Sequence, residues 1–409
     1  MRLIQGSPNE RVRLAIIGCG GIGRYHYNVF TRHAGNMCEV VAICDPYRKQ
    51  LDEFQAMAQR AFDAYSDYRR ILERKDIDAV VVATPDHWHA RITIDACEAG
   101  KHVYVEKPAS HNVVEGLAMV HAAREHKRVV MVGLQQRSGE HFQEAVEIVR
   151  SGKLGKITMV HCWNMDNESP DGIGNPPDSD PPPGLDWDMW LGPAPKRPYN
   201  PNRCLYHFRW FWDYAGGKVT DWGVHLIDIA LWAMGEHSPI EVSASGGKFA
   251  LRDNRETPDT VECLFRFKDW LLIYSHRAAN SFPANGRGYG TMFFGTNGSL
   301  FVDRGGLQVH PEKERIPAYQ RGGSPQSEPH AVNFLRAIRE GVPLACDILT
   351  GVRSTIVPQL GNIAYRVGRT IRWDAQKAQI VGDKEANTML ARNWRAPWGI
   401  PKRYIKPIG

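Results

Sequence analysis

Short hydrophobic runs alternate with amphipathic stretches over the first third of the chain. The runs lie at residues 12–17, 39–44, 79–83, 103–105 and 129–132. The segments between several of them, at about 22–31, 90–99 and 113–126, have the hydrophobic spacing of helices. Continuous hydrophobic strands separated by helices predict a parallel sheet covered on both faces, which is a doubly wound α/β fold.

The pattern changes after Gly133. Strand-like stretches follow at 156–164, 240–245, 261–267, 271–275, 292–295 and 300–303, and helices at about 141–150, 331–340 and 350–368. Glu262, Leu264 and Arg266 alternate with apolar neighbours, which is typical of an antiparallel sheet with one covered face. We therefore predict two domains: residues 1–134 around the parallel sheet, and residues 135–409 as an α/β domain around a large, open, mostly antiparallel sheet.

Composition narrows the class of protein. The 409 residues are 23% charged and 43% hydrophobic, the balance of a soluble globular protein. The net charge of +6 is scattered without a basic run, which disfavours a nucleic-acid partner. No apolar run is long enough to cross a membrane, and residues 1–10 lack the apolar core of a signal peptide. Eight cysteines without a CxxC pair indicate buried thiols, so we expect the cytoplasm, with an exported form whose signal was removed as the alternative.

A glycine-rich turn follows the first predicted strand. The run Gly18-Cys19-Gly20-Gly21-Ile22-Gly23 has glycines at the first, third and sixth positions of the dinucleotide fingerprint. The first allows a tight turn, the second lets the backbone approach the pyrophosphate, and the third lets helix pack on strand. Asp45, at the end of the second strand, is placed to bind ribose hydroxyls and to repel a 2′-phosphate. The sequence predicts NAD as cofactor, with NADP as the alternative because Arg48 lies nearby.

Two more strand ends carry polar residues. Thr84 and Pro85 are followed by Asp86-His87-Trp88-His89, which we expect to cap the next helix and to line the nicotinamide pocket, with His89 on the cofactor side. Two histidines without further ligands nearby argue against a metal. Glu106-Lys107-Pro108 follows the next strand, where ligands lie in parallel sheets. A solvated Glu–Lys pair at a strand end is the alternative.

Candidate chemistry in the second domain centres on Asp221 and His225. They are four residues apart, so on a helix predicted to begin at Thr220 or Asp221 they share a face. An imidazole held by a carboxylate is a competent general base near neutral pH, and a plain surface contact is the alternative. Upstream, residues 170–183 predict a long surface loop. The aromatic segment 187–214 predicts mainly core packing, with a minority of rings lining a carbohydrate pocket.

In combination these motifs resemble the Gfo/Idh/MocA oxidoreductase family. The glycine run, Thr84-Pro85, Glu106-Lys107-Pro108 and the pair Asp221 and His225 occur in the family's order and span most of the chain. The resemblance implies a Rossmann domain joined to an α/β domain with a large open sheet, assembled as a homodimer or homotetramer. It also implies NAD-dependent hydride transfer between a sugar or polyol carbon and C4 of the nicotinamide.

The same resemblance implies roles for individual residues. Lys107 would contact the substrate hydroxyl and orient the nicotinamide, His225 would take the hydroxyl proton, and Asp221 would orient His225 or bind substrate. We place Glu106 with the cofactor-binding residues. We place Arg137 and Trp163 with the substrate-binding residues, and we expect no metal.

Two other functions stay open beside the carbohydrate dehydrogenase. One is a glycosidase that uses NAD for oxidation, elimination and re-reduction. The other is a non-catalytic NAD-sensing regulator, against which the presence of Lys107, Asp221 and His225 argues. The loop 170–183, the aromatic segment and the tail at 393–398 depart from the simplest family members and leave the sugar undecided.

Overall fold

A six-stranded parallel sheet forms the first part of the computed structural model, which describes residues 11–407. Its strands are β1 (Val12–Ile17), β2 (Cys38–Cys44), β3 (Asp63–Tyr65), β4 (Ala79–Val82), β5 (His102–Val105) and β6 (Val130–Val132). Their spatial order is β3-β2-β1-β4-β5-β6. The order reverses between β1 and β4, and dinucleotides bind at such a switch point, beyond the carboxyl ends of the strands.

Helices cover both faces of this sheet. They are α1 (Gly21–Ala34), α2 (Arg48–Ala58), α3 (Arg69–Leu72), α4 (Asp86–Glu98) and α5 (Val113–Glu125). Helix α4 begins at Asp86, four residues before the predicted start, because Pro85 leaves the strand in extended backbone and an acid is favourable in the first helical turn. His87, Trp88 and His89 therefore lie on a helix and not in a loop.

A ten-stranded sheet forms the second part. Its strands are β7 (Ile157–Met165), β8 (Glu241–Gly247), β9 (Thr260–Arg266), β10 (Leu271–Arg277), β11 (Tyr289–Gly295), β12 (Gly298–Asp303), β13 (Gly306–Pro311), β14 (Tyr319–Gly322), β15 (Ile371–Asp374) and β16 (Gln379–Ile380). The order is β14-β13-β12-β11-β7-β10-β9-β8-β15-β16, and β7 with β10 is the parallel pair in this otherwise antiparallel sheet. The predicted fold class is confirmed.

The second part also contains seven α-helices among the described residues, and two of them pack on the first sheet. The helices are α6 (Glu140–Arg150), α7 (Trp187–Leu191), α8 (Gly217–Asp221), α9 (Gly223–Met234), α10 (Ser327–Glu340), α11 (Ile348–Val367) and α12 (Lys384–Thr388). Phe334 of α10 packs on Tyr104 of β5, with ring centres 5.7 Å apart, and Thr355 of α11 accepts the Ala109 N–H at 3.0 Å. The predicted domain boundary at residue 134 stays a prediction, since these later helices join the two sheets.

The aromatic segment packs as a roof over the carboxyl edge of the first sheet. This roof segment, residues 185–214, buries its rings against Tyr47, and Leu185 forms a β-bridge with that residue. The Trp190 carbonyl accepts the indole N–H of Trp88 at 2.9 Å. A tail segment, residues 392–400, fastens the roof from outside, because Arg395 donates to the carbonyl of Gly192 at 2.8 Å. The aromatic segment thus forms a cover for the cleft, and the tail holds that cover in place.

Some expectations concern the whole chain. Within residues 11–407, every helix is too short or too polar to cross a bilayer. All eight cysteines are buried and free, as the sequence predicts. The interpretation of residues 1–10 as lacking a signal peptide lies outside the described residues.

Candidate active site

A cavity of about 360 Å³ lies between the carboxyl edge of the first sheet and the roof segment. Nine of the eleven predicted cofactor-binding residues line it: Gly18, Gly20, Gly21, Ile22, Asp45, Thr84, Pro85, Glu106 and Lys107. The opposite wall comes from the roof and from α8, and includes Trp190, Phe208, Arg209 and Asp221. The structure therefore brings strand ends that are distant in sequence to one cleft.

The glycine turn has the geometry of a dinucleotide site. Gly18 has a φ of +98°, and a Cβ there would lie 2.6 Å from the Ala83 carbonyl oxygen. A Cβ on Gly23 would lie 1.9 Å from the carbonyl oxygen of Gly18. At Gly20 and Gly21 the corresponding space contains no protein atom within 4 Å, and no side chain caps the N-terminus of α1. The free amides and open backbone fit a pyrophosphate.

These glycines predict two separable defects. We expect Gly23→Ala to lose roughly 3 kcal/mol or more of unfolding free energy, because its methyl group meets backbone that cannot move aside. Gly20→Ala is the matched control: its melting temperature stays that of the parent, but its NAD affinity falls by about tenfold or more, since the methyl group stands where the backbone approaches the pyrophosphate. Thermal unfolding and NADH fluorescence titration measure both. Equal stability of the two variants contradicts this account.

Asp45 closes the turn at the ribose side of the cavity. Its carboxylate accepts the N–H of Cys19 at 2.8 Å and that of Tyr47 at 2.9 Å. Burial raises the pKa of Asp45 to about 6, against those two donors. The alternative NADP contact, Arg48, has a largely exposed side chain that pairs with Asp52 at 2.8 Å. This arrangement supports NAD over NADP as the cofactor.

Asp45 also predicts a pH-dependent cofactor preference. Above pH about 6 the carboxylate is ionised, so we expect NAD to bind more tightly than NADP at pH 8. Below that pH the neutral carboxyl no longer repels a 2′-phosphate, and the preference shrinks. Dissociation constants for both cofactors between pH 5 and pH 8 measure the effect, with Asp63→Asn, a change at a largely exposed carboxylate that pairs with Arg74, as a control that leaves the dependence unchanged. Tighter binding of NADP at pH 8 would overturn the assignment and point to Arg48.

Lys107 and Asp221 meet at the inner end of the cavity. Lys107 Nζ lies 2.7 Å from Asp221 Oδ1 and 3.2 Å from the Asp221 carbonyl oxygen. Arg209 of the roof lies 3.5 Å from the same carboxylate oxygen. Burial by itself raises the pKa of Asp221, but Lys107 and Arg209 outweigh it and hold the pKa below its ordinary value. Asp221 is therefore an ionised carboxylate between two cations.

His225 lies in the first turn of α9 and does not bond to Asp221. The predicted single helix is divided: α8 ends at Asp221, Trp222 intervenes, and α9 begins at Gly223. The Asp221 carboxylate accepts a hydrogen bond from Lys107 instead. His225 is 4% exposed, and its Nδ1 is buried without a hydrogen-bond partner among the described residues. Burial, followed by the charges of Lys107 and Arg304, lowers the pKa of His225 well below its ordinary value.

Two buried histidines hold the strand ends in place. His26 Nε2 lies 2.6 Å from Glu106 Oε1, while the other carboxylate oxygen of Glu106 accepts the Lys107 N–H at 3.1 Å. His89 Nδ1 lies 2.8 Å from the Pro108 carbonyl oxygen, and its Nε2 lies 2.8 Å from that of Thr84. His89 thus joins the two loops from behind and does not line the cavity. Gly23 is likewise behind the surface.

Two family models match the chain. The oxidoreductase family with an NAD-binding Rossmann fold, Gfo/Idh/MocA, matches residues 12–134, and its C-terminal alpha/beta domain matches residues 157–269 and 290–400. The chain belongs to this family. The predicted family and NAD as the cofactor of an oxidoreductase are confirmed.

Individual members of the family extend the comparison. The levoglucosan dehydrogenase of Pseudarthrobacter phenanthrenivorans is 26% identical over 85% of this chain and 94% of its own length. The inositol 2-dehydrogenase of Rhodococcus erythropolis is 30% identical over 41% of this chain, and the match spans about half of that relative, 48%. A solved structure of levoglucosan dehydrogenase in complex with NADH has a TM-score of 0.69 at 21% identity, over 89% of this chain and 99% of that one. That likeness shows the shared fold.

Three predicted substrate residues, His225, Arg137 and Trp163, are not part of the cavity lining. Arg137 is buried and makes a bidentate ion pair with Asp228 at 2.7 and 2.8 Å, with its guanidinium over the ring of Trp232. Trp163 is fully buried on β7, donates to the Arg287 carbonyl at 2.8 Å and packs on another ring. The polar groups of the Arg137 and Trp163 side chains have hydrogen-bond partners within the protein. Their surroundings therefore indicate a structural role and not substrate binding.

Sequence reasoning gave no chemical role to two charged cavity residues: Asp86 was expected only to cap α4 and line the pocket, and Arg209 was not singled out. Asp86 follows Thr84-Pro85 directly, so its place beside a recognised motif was the available signal. Arg209 is a cation within an aromatic run, and it lies 4.7 Å from the ring centres of Tyr206 and Phe208. Its partner Asp221 is distant in sequence, and no local spacing connects them.

Proposed function

We propose that this protein is an NAD-dependent dehydrogenase that oxidises a hydroxyl group of a sugar, polyol or glycoside. The observation that carries the proposal is the Lys107–Asp221 pair, 2.7 Å apart, at the inner end of the cofactor cavity. The relatives described above are named as dehydrogenases of levoglucosan and inositol, and they do not favour the glycosidase or the regulator.

The chain's own groups suit the oxidation of an alcohol. When bound, NAD supplies the hydride acceptor. The Lys107 ammonium, fixed by Asp221, places positive charge where negative charge develops on the hydroxyl oxygen. His225 is neutral at neutral pH because its pKa is low, so a ring nitrogen is free to accept the hydroxyl proton. Apolar rings of the roof segment, Trp190 and Phe208, line the cavity and would limit the access of water to the reacting groups.

Buried polar atoms near His225 support a substrate rich in hydroxyls. Asn164 Oδ1, His225 Nδ1 and Arg304 Nε are buried without hydrogen-bond partners among the described residues. Arg304 and His225 lie beside Trp222, at 5.0 and 6.3 Å from its ring. The ring of Tyr289, whose backbone pairs with that of Asn164 across the sheet, lies 5.0 Å from the same indole. Buried polar groups ordinarily find partners, and sugar or polyol hydroxyls offer both donors and acceptors.

One measurement tests the proposal against the glycosidase. Free sugars, polyols and aryl glycosides are supplied with NAD, and the absorbance of NADH and of released aglycone is followed together. We expect one NADH for each substrate molecule oxidised. Many aglycone molecules released for each bound NAD, without net NADH, would replace the proposal by the oxidation–elimination–reduction glycosidase.

Assembly and location belong to the same proposal. The second sheet leaves one face of β9 exposed, and a broad exposed sheet face is a natural surface for self-association as a homodimer or homotetramer. Eight buried free thiols support a reducing compartment such as the cytoplasm. Light scattering of the purified protein gives the mass of the assembly, and a monomer at micromolar concentration would contradict the first point.

A further inference from the structure

A second carboxylate faces the cavity beside Asp221. Asp86, the first residue of α4, is 7% exposed and lines the same cavity as Lys107, Arg209 and Asp221. These four groups come from four separate segments: the start of α4, the end of β5, the roof and the end of α8. The tertiary structure therefore concentrates two carboxyl groups and two cations where the proposed function places the reacting hydroxyl.

The two cations form ion pairs with Asp221 and not with Asp86. Lys107 lies 2.7 Å and Arg209 3.5 Å from Asp221 Oδ1, and no ion pair joins either cation to Asp86 in the described part of the chain. Burial is the largest influence on Asp86, and with the nearby charge of Asp221 it raises the pKa of this carboxyl to about 7. Arg209 and Lys107 oppose that rise without cancelling it. Asp86 thus exchanges a proton near neutral pH while Asp221 stays ionised.

The surroundings of His225 disfavour its protonated form. The side chain is enclosed, and the charges of Lys107 and Arg304 disfavour an imidazolium there. A base that takes a proton transiently needs a second acceptor before the next cycle, and the best acceptor has a pKa near the working pH. Asp86 is the cavity carboxyl with that property near Lys107 and Asp221, whereas Asp45, whose pKa is about 6, is held by the Cys19 and Tyr47 amides at the glycine turn.

We propose that Asp86 is a positioning residue for proton release: it receives, by way of His225 and water or a neighbouring substrate hydroxyl, the proton of the oxidised hydroxyl. In the step, the C–H bond breaks and its electron pair leaves as hydride to NAD, while the O–H electron pair becomes the second C–O bond. The proton ends on a carboxylate oxygen of Asp86 and then leaves to solvent. This inference rests on the proposed dehydrogenase function.

The test compares Asp86→Asn with the parent protein and with Asp52→Asn, a matched change on the exposed face of α2. In the parent, kcat/KM falls as pH decreases through about 7, because a protonated Asp86 cannot accept. We expect Asp86→Asn to lose this acid limb and to be slower at pH 8 by about tenfold or more. Asp52→Asn keeps the parent profile. An unchanged acid limb in Asp86→Asn overturns the proposal.

Two readouts do not depend on turnover. Infrared titration follows the protonated carboxyl band, which we expect to titrate near pH 7 in the parent and to be absent in Asp86→Asn. The raised pKa means that the folded state binds more protons than the unfolded state between about pH 4 and pH 7. The contribution of Asp86 to the free energy of unfolding therefore falls as pH rises. Asp86→Asn should therefore raise the melting temperature more at pH 8 than at pH 5.

These readouts separate the two possible failures. If the parent oxidises no carbohydrate, the proposed function fails, and the proton-release role fails with it, even where Asp86 titrates near pH 7. If carbohydrate is oxidised but the carboxyl band titrates near the ordinary aspartate value, the dehydrogenase stands and only the role of Asp86 is overturned.

Discussion

Replacement of Lys107 by alanine lowers turnover by about a hundredfold or more and leaves NAD affinity within a few-fold of the parent. The ammonium is the cation closest to the Asp221 carboxylate, and no other lysine lines the cavity in the described part of the chain. Without it, developing charge on the substrate oxygen loses its nearest positive partner. Steady-state kinetics on the oxidised carbohydrate measure turnover, and NADH fluorescence measures binding.

The control for Lys107→Ala is Lys49→Ala, which removes a largely exposed lysine from helix α2. It should keep parental turnover, since its ion pair with Glu53 lies on the surface. Lys107→Arg separates charge from shape, because a guanidinium keeps the charge but not the compact geometry. Near-parental turnover of Lys107→Ala would remove Lys107 from the proposed chemistry.

Replacement of His225 by alanine also lowers turnover by about a hundredfold or more, through loss of the group that takes the hydroxyl proton. The imidazole is neutral at neutral pH, so its loss should leave NAD binding unchanged. The measurement is single-turnover formation of NADH, which isolates the chemical step from product release.

His310→Ala is the matched control for this variant, because His310 is an exposed imidazole at the end of β13. Circular dichroism and thermal unfolding show that both variants keep the fold. If His225→Ala formed NADH at the parental rate, another group would have to take the proton, and Asp86 would be the first candidate from the geometry.

The local sequence was sufficient to predict those features whose physical cause lies within a few residues. Apolar runs of strand length predict β1, β4 and β5, because a strand buried on both faces has no polar side to show. Glycines at positions 18 and 23 are required by backbone sterics within a few residues. Asp45 and Lys107 each come just after a parallel strand. Parallel strands present their carboxyl ends at one edge of the sheet, so the sequence predicts that both residues lie at that edge. The nucleotide half of the site was therefore predictable.

The roof could not be predicted in the same way. The aromatic segment was interpreted mainly as core, and its rings do pack in a core of their own. Its position over the cavity depends on contacts such as that of Arg395 with Asp188, which is 207 residues away in sequence. Spacing along a chain contains no information about partners at that separation, because packing between elements selects them.

The sequence by itself determined the doubly wound sheet, the glycine turn and the family-specific order of Lys107, Asp221 and His225. Only the tertiary structure decided how those groups pair. Helical spacing predicted a contact between Asp221 and His225. In the structure the helix is broken between α8 and α9, and Asp221 pairs with Lys107, 114 residues earlier in the sequence. The reason is electrostatic: a buried charge must find an opposite charge, and the nearest one in space need not be near in sequence. The proton affinity of Asp86 is likewise set by burial and by three groups from three other segments.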